Sequence, residues 1–202
     1  MKLRSNSPSG RLVPYLLALA GLAGFASPQA ARADEGAKPP LYLEKADAFA
    51  GKSPEAKVRE LTDREELREL TATYAHRVAH GASIADLFTD DGAYIHRRAG
   101  HATREVRGRA ALDAYFHDRS GDREHALPMI HNYLIEIQGD DARGINSNEL
   151  RISENGQSMI ASGYYEDRYR RVKGRWRFVE RIITFVHWVP IQQGWALPVE
   201  GQ

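Results

Sequence analysis

Cysteine is absent from all 202 residues. That absence excludes disulfide cross-links, thiolate metal sites, a cysteine nucleophile and acylation of a lipoprotein cysteine, so the fold must be held by its core alone. Neither sign of charge dominates: 28 Lys and Arg stand against 27 Asp and Glu. There is no Gly-rich phosphate loop, no dinucleotide fingerprint and no nucleophile elbow. No internal repeat or low-complexity tract interrupts the chain. Any chemistry is therefore expected to be cofactor-free acid–base chemistry carried by ordinary side chains.

What is present begins with a targeting pattern. Lys2, Arg4 and Arg11 precede an almost wholly apolar run over residues 12–26, and Ala31-Arg32-Ala33 supplies the small residues a signal peptidase prefers. The run is shorter than the roughly 20 residues of a spanning helix and contains Pro14. Cleavage after Ala33 is expected, with a periplasmic or secreted product. Residues 1–33 hold four of the 28 basic residues and none of the 27 acidic ones, which leaves 24 against 27. The basicity belongs to the targeting segment, so neither a nucleic acid nor, after cleavage, a membrane is expected as a partner.

Residues 34–60, with Pro39-Pro40, read as an extended lead-in, residues 61–190 as one domain and 191–202 as a tail. Thr62 and Glu65 have capping-box spacing and predict a helix from there to about residue 80. Leu67, Leu70, Tyr74 and Val78 form its apolar stripe. A short helix is predicted over 83–88, strands over 93–96 and 105–107, and a third helix over 109–118. Four long strands follow, at 129–138, 142–152, 158–172 and 175–188, with turns at Gly139-Asp140, Asn155-Gly156 and Lys173-Gly174. Helices first and a strand meander afterwards predict an α+β domain, the helices laid across one face of an antiparallel sheet.

A set of marks occurs in order on these elements: Asp63-Arg64, Tyr74-Ala75, Arg107-Gly108-Arg109, His131-x-Tyr133, Gly139-Asp140-x-Ala142, Gly163-x-Tyr165-x-Asp167 and Gly174-x-Trp176-Arg177. In these the chain resembles the SnoaL-like branch of the nuclear-transport-factor-2-like (NTF2-like) superfamily, which includes polyketide cyclases, scytalone dehydratase and ketosteroid isomerase. The resemblance implies a cone, a curved antiparallel sheet wrapped around N-terminal helices as in a cystatin-like α+β barrel. It also implies a pocket for a small apolar or aromatic molecule and lyase, dehydratase or isomerase chemistry without a cofactor. His131 matches the active-site histidine that opens the corresponding strand of scytalone dehydratase. Val78-Ala79 stands where that enzyme has a Tyr-Asp pair, Ile152 where it has a second histidine, and Gly163-Tyr164-Tyr165 where it has Ser-x-Asn. These departures point away from the identical reaction and keep open a non-catalytic module that binds a ligand or dimerises.

Alternation places His131 with Met129, Tyr133, Ile135 and Ile137 on the more apolar face of its strand. Partial burial there would suit a general acid or base, and equally a structural histidine tying two strands together. Asp167 shares a face with Gly163, Tyr165 and Tyr169, and is either paired with Arg181 or poised as a base. Tyr165 and Tyr133 are candidate hydrogen-bond donors or core aromatics, and Tyr74 a candidate ligand contact. Asn146 and Asn148 share one face; if inward, they would orient a polar group of a ligand. His76 and His80 have metal-ligand spacing, and His96 and His101 bracket a loop, but without a carboxylate motif no metal is expected. Phe178, Ile182, Ile183, Phe185, Val186 and Trp188 place apolar groups on both faces of the last strand, which predicts a homodimer through the outer face of the sheet.

Overall fold

The computed structural model describes residues 40–43, 48–117 and 126–192. The signal segment expected at 1–33 and nearly all of the 191–202 tail fall outside these residues. A 3-10 turn at Leu41–Leu43 precedes helix α1, Pro54–Ala79, and another at Ala85–Leu87 leads into strand β1, Phe88–Arg98. Strand β2, Arg104–Arg107, and helix α2, Arg109–His117, come next. Four long strands complete the fold: β3 Leu127–Gln138, β4 Asp141–Glu154, β5 Gln157–Val172 and β6 Arg175–Pro190.

Helix α1 starts at Pro54, well before the predicted Thr62. Ser53 is its N-cap, with φ −64° and ψ 161°, and its hydroxyl accepts from the Ala56 amide. Pro54 follows at the first helical position, where its missing N–H costs nothing. Thr62, inside the helix, donates to the Val58 carbonyl at 3.0 Å instead of capping. The predicted stripe holds: Leu67 and Tyr74 are buried, and Leu70 and Val78 pack against the core. Polar ties fix α1 to the sheet. Arg64 donates to the Ile135 carbonyl at 2.8 Å, and Asp63 accepts from Trp176 at 3.4 Å and pairs with Arg171.

The six strands run in the order β2-β1-β6-β5-β4-β3. Their sheet is mixed rather than antiparallel throughout, because β1 pairs with β6 in parallel. It is also open, which overturns the expected cone or barrel. The two edges, β2 and β3, do not meet. Four residues make β2 only roughly 13 Å long, too short an edge to close against the twelve residues of β3. A pocket formed by a closed cone is likewise ruled out.

Irregularities along the strands decide which side chains face the core. In β3, Asn132 takes φ 58°, and Asn132 and Tyr133 together stand opposite the single residue Asn146. This is a β-bulge, and it reverses the alternation for the residues on either side. In β5, a Cβ on Gly163 would lie 1.9 Å from the Thr184 carbonyl oxygen, so only glycine allows β6 its close approach there. The Asn155-Gly156 hairpin, with φ 51° and 72°, is the left-handed two-residue turn that its sequence predicts.

Candidate functional site

The inner face of the sheet is a grid of side chains set by strand register. One row runs Tyr94, Arg181, Asp167 and Gly144 across β1, β6, β5 and β4. The next is His96, Ile183, Tyr165 and Asn146, and beyond it come Arg98, Phe185, Gly163 and Asn148. Polar groups therefore occupy the middle of what is otherwise a hydrophobic core. Asp167 is 2 % exposed, Arg181 0 %, Asn146 1 % and Asn148 3 %.

The ion pair expected between Asp167 and Arg181 is present. Arg181 Nε faces Asp167 Oδ1 at 3.3 Å, and neither side chain meets solvent. The other carboxylate oxygen, Oδ2, accepts from Asn146 Nδ2 at 3.0 Å and from the Tyr169 hydroxyl at 2.9 Å. Gly144 makes the second contact possible. A Cβ there would lie 3.1 Å from Tyr169 Cε2 and 3.3 Å from its hydroxyl oxygen.

Arg181 is enclosed by aromatic rings. Its guanidinium carbon lies 3.9 Å from the Tyr165 ring centroid, 4.2 Å from Tyr74 and 4.5 Å from Phe178. The π-faces stabilise a cation that has no water around it. Burial alone would lower the Arg181 pKa, yet the Asp167 charge, aided by the surrounding tyrosines, raises it above the ordinary guanidinium value. Arg181 therefore stays protonated. Burial pushes the Asp167 carboxyl up from its usual range, against the pull of Arg181 and of its hydrogen bonds from Asn146 and Tyr169. Burial raises the phenols of Tyr165 and, more strongly, Tyr74 and Tyr169, so all three are neutral donors near neutral pH.

Several of these buried polar atoms have no hydrogen-bond partner among the described residues. Apart from the ion-paired Asp167 Oδ1 and Arg181 Nε, they are Asn146 Oδ1, both amide atoms of Asn148 and both terminal nitrogens of Arg181. Unsatisfied groups of this kind each cost about 1 to 3 kcal/mol. Their concentration on adjacent rows is unusual for a plain core.

The structure brings together Tyr74, Tyr165, Asp167, Asn146 and Asn148. Tyr133 joins them from β3, half-buried, and its phenol is raised by burial. His131 does not join them. The bulge turns it to the outer face, opposite Ser147 in the row that continues through Tyr164 and Thr184, and it is exposed rather than partly buried. The histidine on the inner face is His96, expected as the last residue of a strand over 93–96 at the edge of a loop, whereas β1 continues to Arg98. Its ring lies 5.2 Å from that of Phe185. The signal was available in the alternation Tyr94, His96, Arg98, had β1 been read as extending to Arg98. His76 and His80 are both exposed, and His80 Nδ1 lies 2.7 Å from the His76 carbonyl at the end of α1. Among the described residues no group of three His, Cys, Asp or Glu side chains could hold a metal ion, and no helix is long and apolar enough to cross a membrane.

Comparison with known proteins places this architecture. A variant of Rv3472 from Mycobacterium tuberculosis superposes with a TM-score of 0.58 at 24 % identity, over 67 % of this chain and 77 % of the other. An NTF2-like protein with a cystatin-like fold from Novosphingobium aromaticivorans gives 0.51 at 26 % identity, over 65 % and 86 %. A type 2 hexachlorocyclohexane dehydrochlorinase, LinA, gives 0.60 at 17 % identity, over 72 % and 99 %. The fold is thus one that enzymes also use. No match is found among curated proteins. The profile of the SnoaL-like domain matches residues 59–182, and the chain belongs to that family, within the NTF2-like superfamily.

Proposed function

We propose that this protein holds a small molecule against the inner face of its open sheet, recognising a carbonyl, hydroxyl or carboxylate group of the ligand with Arg181, Asn146 and Asn148. The observation that carries the reading is the cluster of buried polar atoms on those residues that have no hydrogen-bond partner among the described residues. A ligand oxygen would supply the missing acceptors, and the rings of Tyr74, Tyr165 and Phe185 would pack on its apolar or aromatic body. A thermal-shift screen of small aromatic and carbonyl compounds tests it. Hits that stabilise the wild type but not Asn146→Leu support the proposal, and hits unaffected by that change count against it.

A second reading adds turnover, as a cofactor-independent lyase or isomerase. It rests on the raised Asp167 carboxyl beside the neutral Tyr165 phenol, a base and a hydrogen-bond donor on adjacent rows. Asp167→Asn would then keep binding and lose turnover by about 10²- to 10⁴-fold. Loss of binding and turnover together would leave only the first reading.

The proposal includes export and self-association. Residues 1–33 would be removed, giving a mature chain that begins at Asp34 in mass spectra of the cell envelope. Ile182, Ile145 and the exposed Leu134 share the outer face and would meet a second copy. Light scattering that finds only monomer at micromolar concentration would contradict the dimer.

A further inference from the structure

On the other side of the sheet from Asp167, a groove of about 620 Å³ opens between the start of β1 and the β5–β6 hairpin. Its lining includes five cations, Arg109, Arg170, Lys173, Arg175 and Arg177, against two carboxylates, Asp90 and Asp91. Both carboxylates are already engaged. Arg109 pairs with Asp90 at 3.0 Å, and the Thr89 hydroxyl donates to Asp91 at 2.9 Å, which lowers the pKa of that carboxyl. Arg170 pairs with Asp141 at 2.9 Å, outside the groove lining. Lys173, Arg175 and Arg177 have no acidic partner among the described residues.

Strand register adds a second observation. Arg170 and Arg177 stand directly opposite each other across β5 and β6. Like charges at directly paired positions destabilise a sheet, and Asp141 offsets the charge of Arg170 but leaves that of Arg177 uncompensated among the described residues. A groove carrying three more cations than carboxylates, on a chain of formal net charge +1, is a local concentration of positive potential with a shape of its own.

We propose that this groove is a second binding site, for a small molecule carrying two or more phosphate groups. The planar forks of Arg170, Arg175 and Arg177 suit the tetrahedral oxyanion, Lys173 adds a point charge, and the volume falls within the range of small-ligand sites. The site is separate from the inner-face one and does not depend on it.

Inorganic tripolyphosphate is the probe, titrated calorimetrically into the full chain at about 20 mM and about 200 mM salt. Saturable binding that weakens with salt, and that falls about ten- to hundredfold in Arg177→Gln, supports the proposal. The same variant, relieved of the Arg170–Arg177 repulsion, is expected to melt no lower than the wild type without the probe, and to lose the rise in Tm the probe gives. Should Arg177→Gln fail to fold, the exposed Arg175→Gln serves for the same comparison. Absence of binding up to about 1 mM at low salt, or undiminished binding in these variants, would overturn it. So would binding of anionic lipid vesicles or nucleic acid without binding of tripolyphosphate.

Discussion

Asp167 and Arg181 occupy directly paired positions on β5 and β6, 3.3 Å apart from Oδ1 to Nε, and both are shut away from solvent. Neither group has another charged partner among the described residues, and the guanidinium rests on three aromatic rings instead of in water. The pair is interdependent: each side chain is tolerable in the core chiefly because the other is there.

Removal of one partner should therefore cost far more than removal of both. Arg181→Met is expected to destabilise the protein by about 3 to 5 kcal/mol, because it leaves a bare buried carboxylate. The double change Asp167→Leu with Arg181→Met should recover most of that loss. Chemical denaturation of the three proteins decides the matter, and single and double variants of equal stability would mean that the pair is not coupled.

The raised carboxyl of Asp167 gives a pH signature. An acid whose pKa is higher in the folded than in the unfolded state binds its proton more readily when folded. Its contribution therefore grows as pH falls through the folded pKa towards the ordinary aspartate value, and is absent at higher pH. Asp167→Asn lacks this dependence. The stability difference between wild type and variant should shift in favour of the wild type between about pH 7 and about pH 4. Glu60, lowered by Lys52 and Arg64 against the effect of burial, works in the opposite sense in both proteins and cancels in the comparison. A difference that stays constant over that range would contradict the assigned direction.

His131 offers a contrast. It is exposed on the outer face, so His131→Asn is expected to leave ligand binding unchanged and to alter stability by no more than about 0.5 kcal/mol. Melting curves and binding isotherms of this variant check both statements. Lost binding with an intact fold would restore His131 to the site.

The strands, their hairpins and the α1 stripe were legible in the sequence, because Asn155-Gly156 and Lys173-Gly174 dictate tight turns and Leu67, Leu70, Tyr74 and Val78 keep a helical period. The inward pair Asn146 and Asn148, and the Asp167–Arg181 contact, followed from plain alternation along β4, β5 and β6. His131 was misplaced because alternation carries no sign of a bulge, and one extra residue at Asn132 exchanges the two faces of β3. The open sheet was missed for a different reason. Closure depends on the length and partner of β2, a long-range property that its four residues do not encode locally. Helix α1 began early because Ser53-Pro54 is the stronger start signal and lies ahead of the capping box that was read.

If the unpartnered polar atoms on the inner face exist for a ligand, replacing Asn148 should abolish binding without harming the fold. Neither of its amide atoms has a partner among the described residues, so Asn148→Leu removes buried groups that cost stability and should leave the Tm equal or higher. The measurement is mass spectrometry of small molecules released on denaturing purified wild type and Asn148→Leu, after both are exposed to the same pool of metabolites. The expected result is a compound retained by the wild type and missing from a variant that melts no lower. A variant that melts much lower and retains the same compound would contradict it, since Asn148 would then be part of the framework and not of the site.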